Sequence, residues 1–190
     1  MKLFLPILLL ATHSAFSEEV QYRLTGLFQP DRVADLRAQA AELPANSNNQ
    51  PVEVKLVDVN YDTTVVTFSY DGTKTYKNQK PDQILNRIDQ ILRQASKGAF
   101  SISPLSTLKP DQLKMERIAV QGHDCKGCNF GLYRCIASLE GVERAVASFK
   151  EGHVTAWIDP SKTNREALVA ALKKKEVFLP DEAAVDKDKK

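Results

Sequence analysis

Apolar residues in the second half of the chain occur at two spacings, one typical of strands and one typical of helices. The spacings follow one another as strand 117–121, helix 126–139, strand 142–149, strand 153–158, helix 165–175 and a short strand 177–179. Glu140-Gly141 and Glu151-Gly152 separate these stretches as a helix end and a hairpin turn. The pattern therefore predicts the element order βαββαβ.

The first half of the chain repeats this order. Its first helix has apolar positions that align without a gap with those of the second half, Leu36, Ala40 and Leu43 against Leu132, Ile136 and Leu139. Asp71 and Asp159 both follow the third strand of their half, and Pro81 opens the second helix, where a missing N–H is tolerated. We therefore expect two tandem copies of one unit.

A βαββαβ unit with two helices on one face of an antiparallel sheet is the ferredoxin-like arrangement, so the predicted fold class is α+β, a sheet-and-helix sandwich present twice. The predicted domains are residues 18–103 and 115–180. A linker with Pro104 and Pro110 occupies residues 104–114. Residues 181–190 are charged and almost free of large apolar side chains, which predicts a disordered tail.

The N-terminus has the pattern of a signal peptide over residues 1–17. Lys2 precedes an apolar run from Leu3 to Ala11, and small residues at Ala15 and Ser17 favour cleavage after Ser17. The run is too short to span a bilayer. We therefore expect an exported protein, periplasmic or secreted, without a membrane anchor.

Charge and motifs narrow the function. The 190-residue chain has a formal net charge of +2 and no stripe of basic residues interleaved with aromatic ones, which argues against nucleic acid as a partner. No set of catalytic residues, phosphate-binding loop or cofactor fingerprint is evident in the sequence. The chain is therefore predicted not to be an enzyme.

The three cysteines lie close together, at Cys125, Cys128 and Cys135. Cys125 and Cys128 form a CxxC motif between a predicted strand and a predicted helix. The partial positive charge at a helix N-terminus favours thiolate over thiol. Two thiolates form a linear or bent site for a soft ion, whereas zinc usually needs four ligands. The same pair can also form a reversible disulfide.

Three other side chains, His123, Cys135 and His153, could also contribute to a metal site. His123 is either a third metal ligand or a residue that packs beside the site, and both readings stay open. Cys135 is two helical turns beyond Cys128, which favours a buried free thiol over a ligand. His153 opens the third strand beside a turn and is expected to be exposed.

Residues 116–179 resemble the heavy-metal-associated (HMA) domain, the family of small copper chaperones, metal-ATPase amino-terminal modules and the periplasmic mercury-binding protein. The matching positions are Gly122, Cys125, Cys128, Leu132, Ile136, Leu139, Gly141 and Val142. His123 replaces the usual Met, and Asp124 replaces a small hydroxyl residue. Residues 20–102 look like a degenerate copy with Gln29 and Arg32 in place of the two cysteines.

The resemblance implies a protein that captures or transfers Cu(I), Hg(II) or Zn(II) through Cys125 and Cys128. It also implies a metal-transporting membrane protein or another metal carrier as partner. Two alternatives remain: a thiol–disulfide redox module, and a structural or protein-binding domain pair with an inert disulfide.

Overall fold

The computed structural model describes residues 17–43, 54–73, 76–121, 126–148, 150–175, 177 and 179–180. The predicted signal peptide, apart from residue 17, and the predicted tail 181–190 lie outside the described residues. Within the described part of the chain, no helix is long and apolar enough to cross a membrane.

The first unit is a four-stranded antiparallel sheet covered by two helices. Its elements are β1 (Ser17–Thr25), α1 (Arg32–Ala41), β2 (Val54–Asn60), β3 (Val65–Asp71), α2 (Pro81–Ala95) and β4 (Ser101–Ser103). The strand order is β2-β3-β1-β4. Phe68, Leu36 and Leu92 are fully buried between the sheet and the helices, where they form the centre of one hydrophobic core.

The second unit repeats the arrangement after a short 3₁₀ turn at Pro110–Gln112. Its elements are β5 (Lys114–Ala119), α3 (Lys126–Ala137), β6 (Val142–Ser148), β7 (His153–Ile158) and α4 (Arg165–Lys173). The described strands are antiparallel in the order β5-β7-β6. Ile136, Ile158 and Leu168 are fully buried in a separate core. The predicted α+β, ferredoxin-like fold class is confirmed by this topology.

The predicted final strand at 177–179 is wrong for the two of its residues that the structure describes. Val177 and Leu179 have no strand pairing. The backbone N–H of Val177 instead donates to Leu172 O at the end of α4, at 3.3 Å, and the Val177 side chain is buried in the second core. The backbone N–H of Val177 therefore bonds to the helix end and does not pair with a strand.

Local contacts repeat as closely as the topology. Asp71 Oδ1 accepts hydrogen bonds from the N–H and hydroxyl of Thr73 at 2.9 and 2.6 Å. Asp159 Oδ1 accepts the same pair of bonds from Ser161 at the same two distances. Both aspartates thus end the third strand of their unit with the same side-chain turn. The sequence predicts their matching position, and the structure adds the matching turn.

One aromatic side chain of the first half lies in the core of the second unit. Phe28, in the loop between β1 and α1, is only 5% exposed and belongs to the second core. Its ring centroid lies 5.7 Å from that of Phe130 and 5.5 Å from that of Tyr133, both on α3. The loop at the repeat position of the CxxC loop therefore packs against the helix that carries Cys128.

Hydrogen bonds hold the same loop against the second unit. Gly26 N–H donates to the Tyr133 hydroxyl at 2.6 Å, and Ala147 N–H of β6 donates to Phe28 O at 3.3 Å. Gly26 has φ +119°, and a Cβ there would collide with Ala99 O of the first unit, so this position of the loop requires glycine. Beside it, Arg23 forms an ion pair with Glu143 at 2.6 Å. The two units therefore pack as neighbours.

Candidate functional site

Cys128 is placed in the first turn of α3, two residues after the helix begins at Lys126. It is half-buried and disulfide-bonded. The first turn of a helix offers backbone N–H groups and a partial positive charge, both of which stabilise a thiolate when the disulfide is reduced. The predicted position of Cys128 at a helix N-terminus is thus observed.

The other predicted site residues, Cys125 and His123, lie outside the described residues, as does Asp124. The metal role of these residues stays a prediction. Within the described residues, no group of three or more His, Cys, Asp or Glu side chains converges as a metal site would require.

A groove of about 630 Å³ runs along α3 from Cys128. It is lined by Cys128, Gly131, Leu132, Arg134, Cys135, Ser138, Lys175 and Val177. Arg134 and Lys175 are its charged described residues, so the described lining of the groove is positively charged.

Cys135 opens onto the same groove but has a different environment. It is a half-buried free thiol, rather than a fully buried one, and its Sγ donates to Gly131 O at 3.1 Å. Burial raises the pKa of Cys135, and the nearby Lys175 and Arg134 oppose that shift without cancelling it. Cys135 therefore remains a protonated thiol, which is a poor metal ligand.

His153 differs from the sequence-based expectation of an exposed turn residue, because it is only 8% exposed. Its Nδ1 lies 2.9 Å from Arg117 Nη2, and its Nε2 lies 3.3 Å from Glu151 Oε2. Both ring nitrogens therefore have partners on β5 and on the turn. The side chains of Arg117 and Glu151 both contact the ring. Arg117 reaches His153 because β5 pairs with β7, and the local sequence pattern does not show that pairing.

Asn129 was not singled out by sequence reasoning, yet it directly follows Cys128 and is only 1% exposed. Among the described residues its Nδ2 finds no hydrogen-bond partner. A buried amide with an unused donor is energetically unfavourable and therefore uncommon. The apolar periodicity of the helix does not predict its burial, because a polar residue at position 129 is expected to face solvent.

Tyr133 makes the contact between the units sensitive to alkaline pH. Burial raises its pKa to about 12, although the bond from Gly26 N–H and the nearby Arg23 act in the opposite direction. The folded state therefore holds the phenol proton between pH 10 and about 12, where the unfolded chain releases it. The stabilisation is complete below pH 10 and is lost as the pH rises through that window.

We expect Tyr133→Phe to flatten this pH dependence. The free energy of unfolding of the wild type should fall more steeply above pH 10, by up to about 1.4 kcal/mol per pH unit for one proton. Below pH 10 the variant should be less stable by about 1 kcal/mol, since Gly26 N–H loses its acceptor. Urea unfolding of both proteins at several pH values checks this. Equal slopes would contradict it.

Comparison with known proteins finds likeness among solved structures, while no family model and no curated protein matches the chain. The "CopZ metallochaperone" is 21% identical over 35% of this chain and 100% of its own, with TM-score 0.34. Oxidised MerP from Ralstonia metallidurans CH34 is 20% identical over 36% and 99%, with TM-score 0.33. The N-terminal soluble domains of Bacillus subtilis CopA are 18% identical over 88% and 97%, with TM-score 0.33.

The fold class itself rests on the strand order and helix placement of this chain, which are described above, and not on these scores.

Proposed function

We propose that the chain is an exported, non-enzymatic protein that captures and transfers a soft metal ion as cargo through Cys125 and Cys128. The observation that carries the proposal is the position of Cys128, in the first turn of α3 and beside a positively charged groove. A thiolate at such a position is both stabilised and accessible, and thiolates are the preferred ligands of soft ions.

The ligand chemistry favours Cu(I) or Hg(II) over Zn(II) as the cargo. A CxxC pair supplies two thiolates, which suits ions that accept low coordination numbers, whereas zinc needs four ligands. His123 as a third ligand, or a cysteine of a second protein, would be required for Zn(II). Incomplete coordination by the carrier leaves a position open for the recipient, which favours transfer over storage.

The partner that fits this site is a metal-transporting membrane protein or another metal carrier. Arg134 and Lys175 line the groove next to Cys128, so a recipient with acidic side chains around its own thiols would be attracted. The first unit has Gln29 and Arg32 in place of the cysteines, and its loop packs on α3. We assign it a supporting role at the site.

One observation favours a second candidate, a thiol–disulfide module: Cys128 is disulfide-bonded. A CxxC pair at a helix N-terminus can exchange with external thiols in an oxidising compartment. For the metal carrier, the same bond is a closed state that must be reduced before an ion binds.

Two assays on the intact mature chain separate the candidates. The carrier is expected to retain about one Cu(I) per reduced chain through gel filtration, because one thiolate pair binds one ion. It is also expected to leave insulin disulfides unreduced. Insulin reduction without copper retention would support the redox module, and neither activity would support a structural pair with an inert disulfide.

A further inference from the structure

A cavity of about 400 Å³ lies where the two units and the segment between them meet, away from the cysteines. The first unit contributes Arg23, Asp62, Thr63 and Val65, and the second contributes Glu143, Arg144 and Trp157. Residues between 105 and 113 close a further side. The cavity therefore exists only when both units are in place.

The walls of the cavity are mainly apolar. Leu105, Leu108 and Leu113 line the side formed by the connecting segment, Val65 lies on β3 and Trp157 on β7. Leu105 remains 42% exposed, which is high for a large aliphatic side chain. A ligand with an apolar body would remove this surface from water.

Arg144 supplies the polar end of the cavity. Its guanidinium carbon lies 4.2 Å from the ring centroid of Trp157 and 5.5 Å from that of Tyr61. No carboxylate among the described residues pairs with it, and its buried Nε finds no acceptor there. A guanidinium has five N–H donors, so most of its capacity is unused by those residues.

The other charges around the cavity do not supply that acceptor. Arg23 and Glu143 neutralise each other in an ion pair at 2.6 Å. Asp62 lines the cavity and forms no ion pair within the described part of the chain. Its carboxylate would repel an incoming anion, so Asp62 weakens anion binding at Arg144 without preventing it.

We infer that this cavity binds a small organic acid with an apolar body, whose carboxylate bonds to Arg144 and whose body packs on Trp157 and the three leucines. Carboxylate matches the fork of guanidinium donors better than any neutral group. The site does not depend on the cysteines and is separate from the proposed metal function. Because both units form it, an occupied cavity would also hold the units together.

Octanoate is a suitable probe, with octanol and octylammonium as ligands of the same body and different charge. Trp157 is the one tryptophan of the chain, so its fluorescence reports binding directly. We expect octanoate to change the emission saturably, with at least about tenfold higher affinity than octanol and no binding of octylammonium. Equal affinity for the three ligands, or no saturable change, would overturn the inference.

Two variants locate the charge. Arg144→Gln should lower octanoate affinity by about tenfold or more and leave octanol binding unchanged. Asp62→Asn lies in a short turn and should raise octanoate affinity by about two- to fivefold, because a repulsive charge is removed. The second variant tests the inference even if the first folds poorly. Octanoate affinity that neither substitution changes would rule out this cavity as the site.

Discussion

Replacing Cys128 with serine should lower the affinity of the reduced protein for Cu(I) by more than about a hundredfold. A serine hydroxyl is a hard, neutral ligand, whereas the site depends on soft thiolate. Loss of a group that only orients a ligand already lowers metal affinity by about 10- to 100-fold, so loss of a ligand should have a larger effect. Competition with a chromophoric Cu(I) chelator measures the change.

Cys135→Ser is the matched control for this prediction. Cys135 lies on the same helix and in the same groove, but burial raises its pKa and its Sγ already donates to Gly131 O. The Cu(I) affinity of this variant should equal that of the wild type. A loss shared by both variants would mean that the ion binds along the groove and not at the CxxC motif.

The largest expected effect on stability comes from Phe28→Ala, which should lower the free energy of unfolding by about 3–5 kcal/mol. The ring is 5% exposed and packs on Phe130 and Tyr133 in the core of the other unit. Its removal leaves a cavity next to Phe130 of α3, which is two residues after Cys128 in the chain. Urea unfolding followed by circular dichroism measures the loss.

Met115→Ala is the control, an apolar truncation on the second unit, whose core the Phe28 ring enters, because Met115 is 60% exposed on β5. It should change the free energy of unfolding by about 0.5 kcal/mol or less. If Phe28→Ala has an equally small effect, the units do not share a core in solution. If it has the expected effect, the cysteine-free unit is a structural support of α3.

The order of elements was predictable because each element has its own apolar periodicity. Asn164, a residue type favoured at helix N-caps, caps the last helix and accepts from Ala167 N–H at 2.9 Å. Gly141, predicted as a left-handed helix end, has φ +81°. Both are local signals, in which the residue type and the backbone conformation are related within a few positions.

Features that depend on distant contacts were not predictable in the same way. Val177 has strand-like neighbours, yet its N–H bonds to the end of α4. Phe28 looks like a residue of the first core, and Arg144 like an ordinary exposed cation. The ring partners of Phe28 lie on the other unit, more than a hundred positions away, and Arg144 contacts Tyr61 of the other unit as well as Trp157 of its own. No local periodicity reports such contacts.

The candidate site also combines features that are local in sequence with features that depend on packing. The CxxC motif and the helix that follows it are local, so the position of Cys128 was predicted. The burial of His153 and Asn129, and the groove shared by Cys128 and Cys135, result from how strands and helices pack. Sequence reasoning therefore identified the thiols but not the groove that Cys128 shares with Cys135.

Copper retention by parallel samples of reduced and oxidised protein tests whether the reduced cysteine pair holds one soft ion. Both samples receive Cu(I) without oxygen, pass through gel filtration and are analysed for copper per chain. We expect about one ion per reduced chain, from one thiolate pair, and none per oxidised chain. Equal copper in both samples, or none in the reduced one, would contradict it.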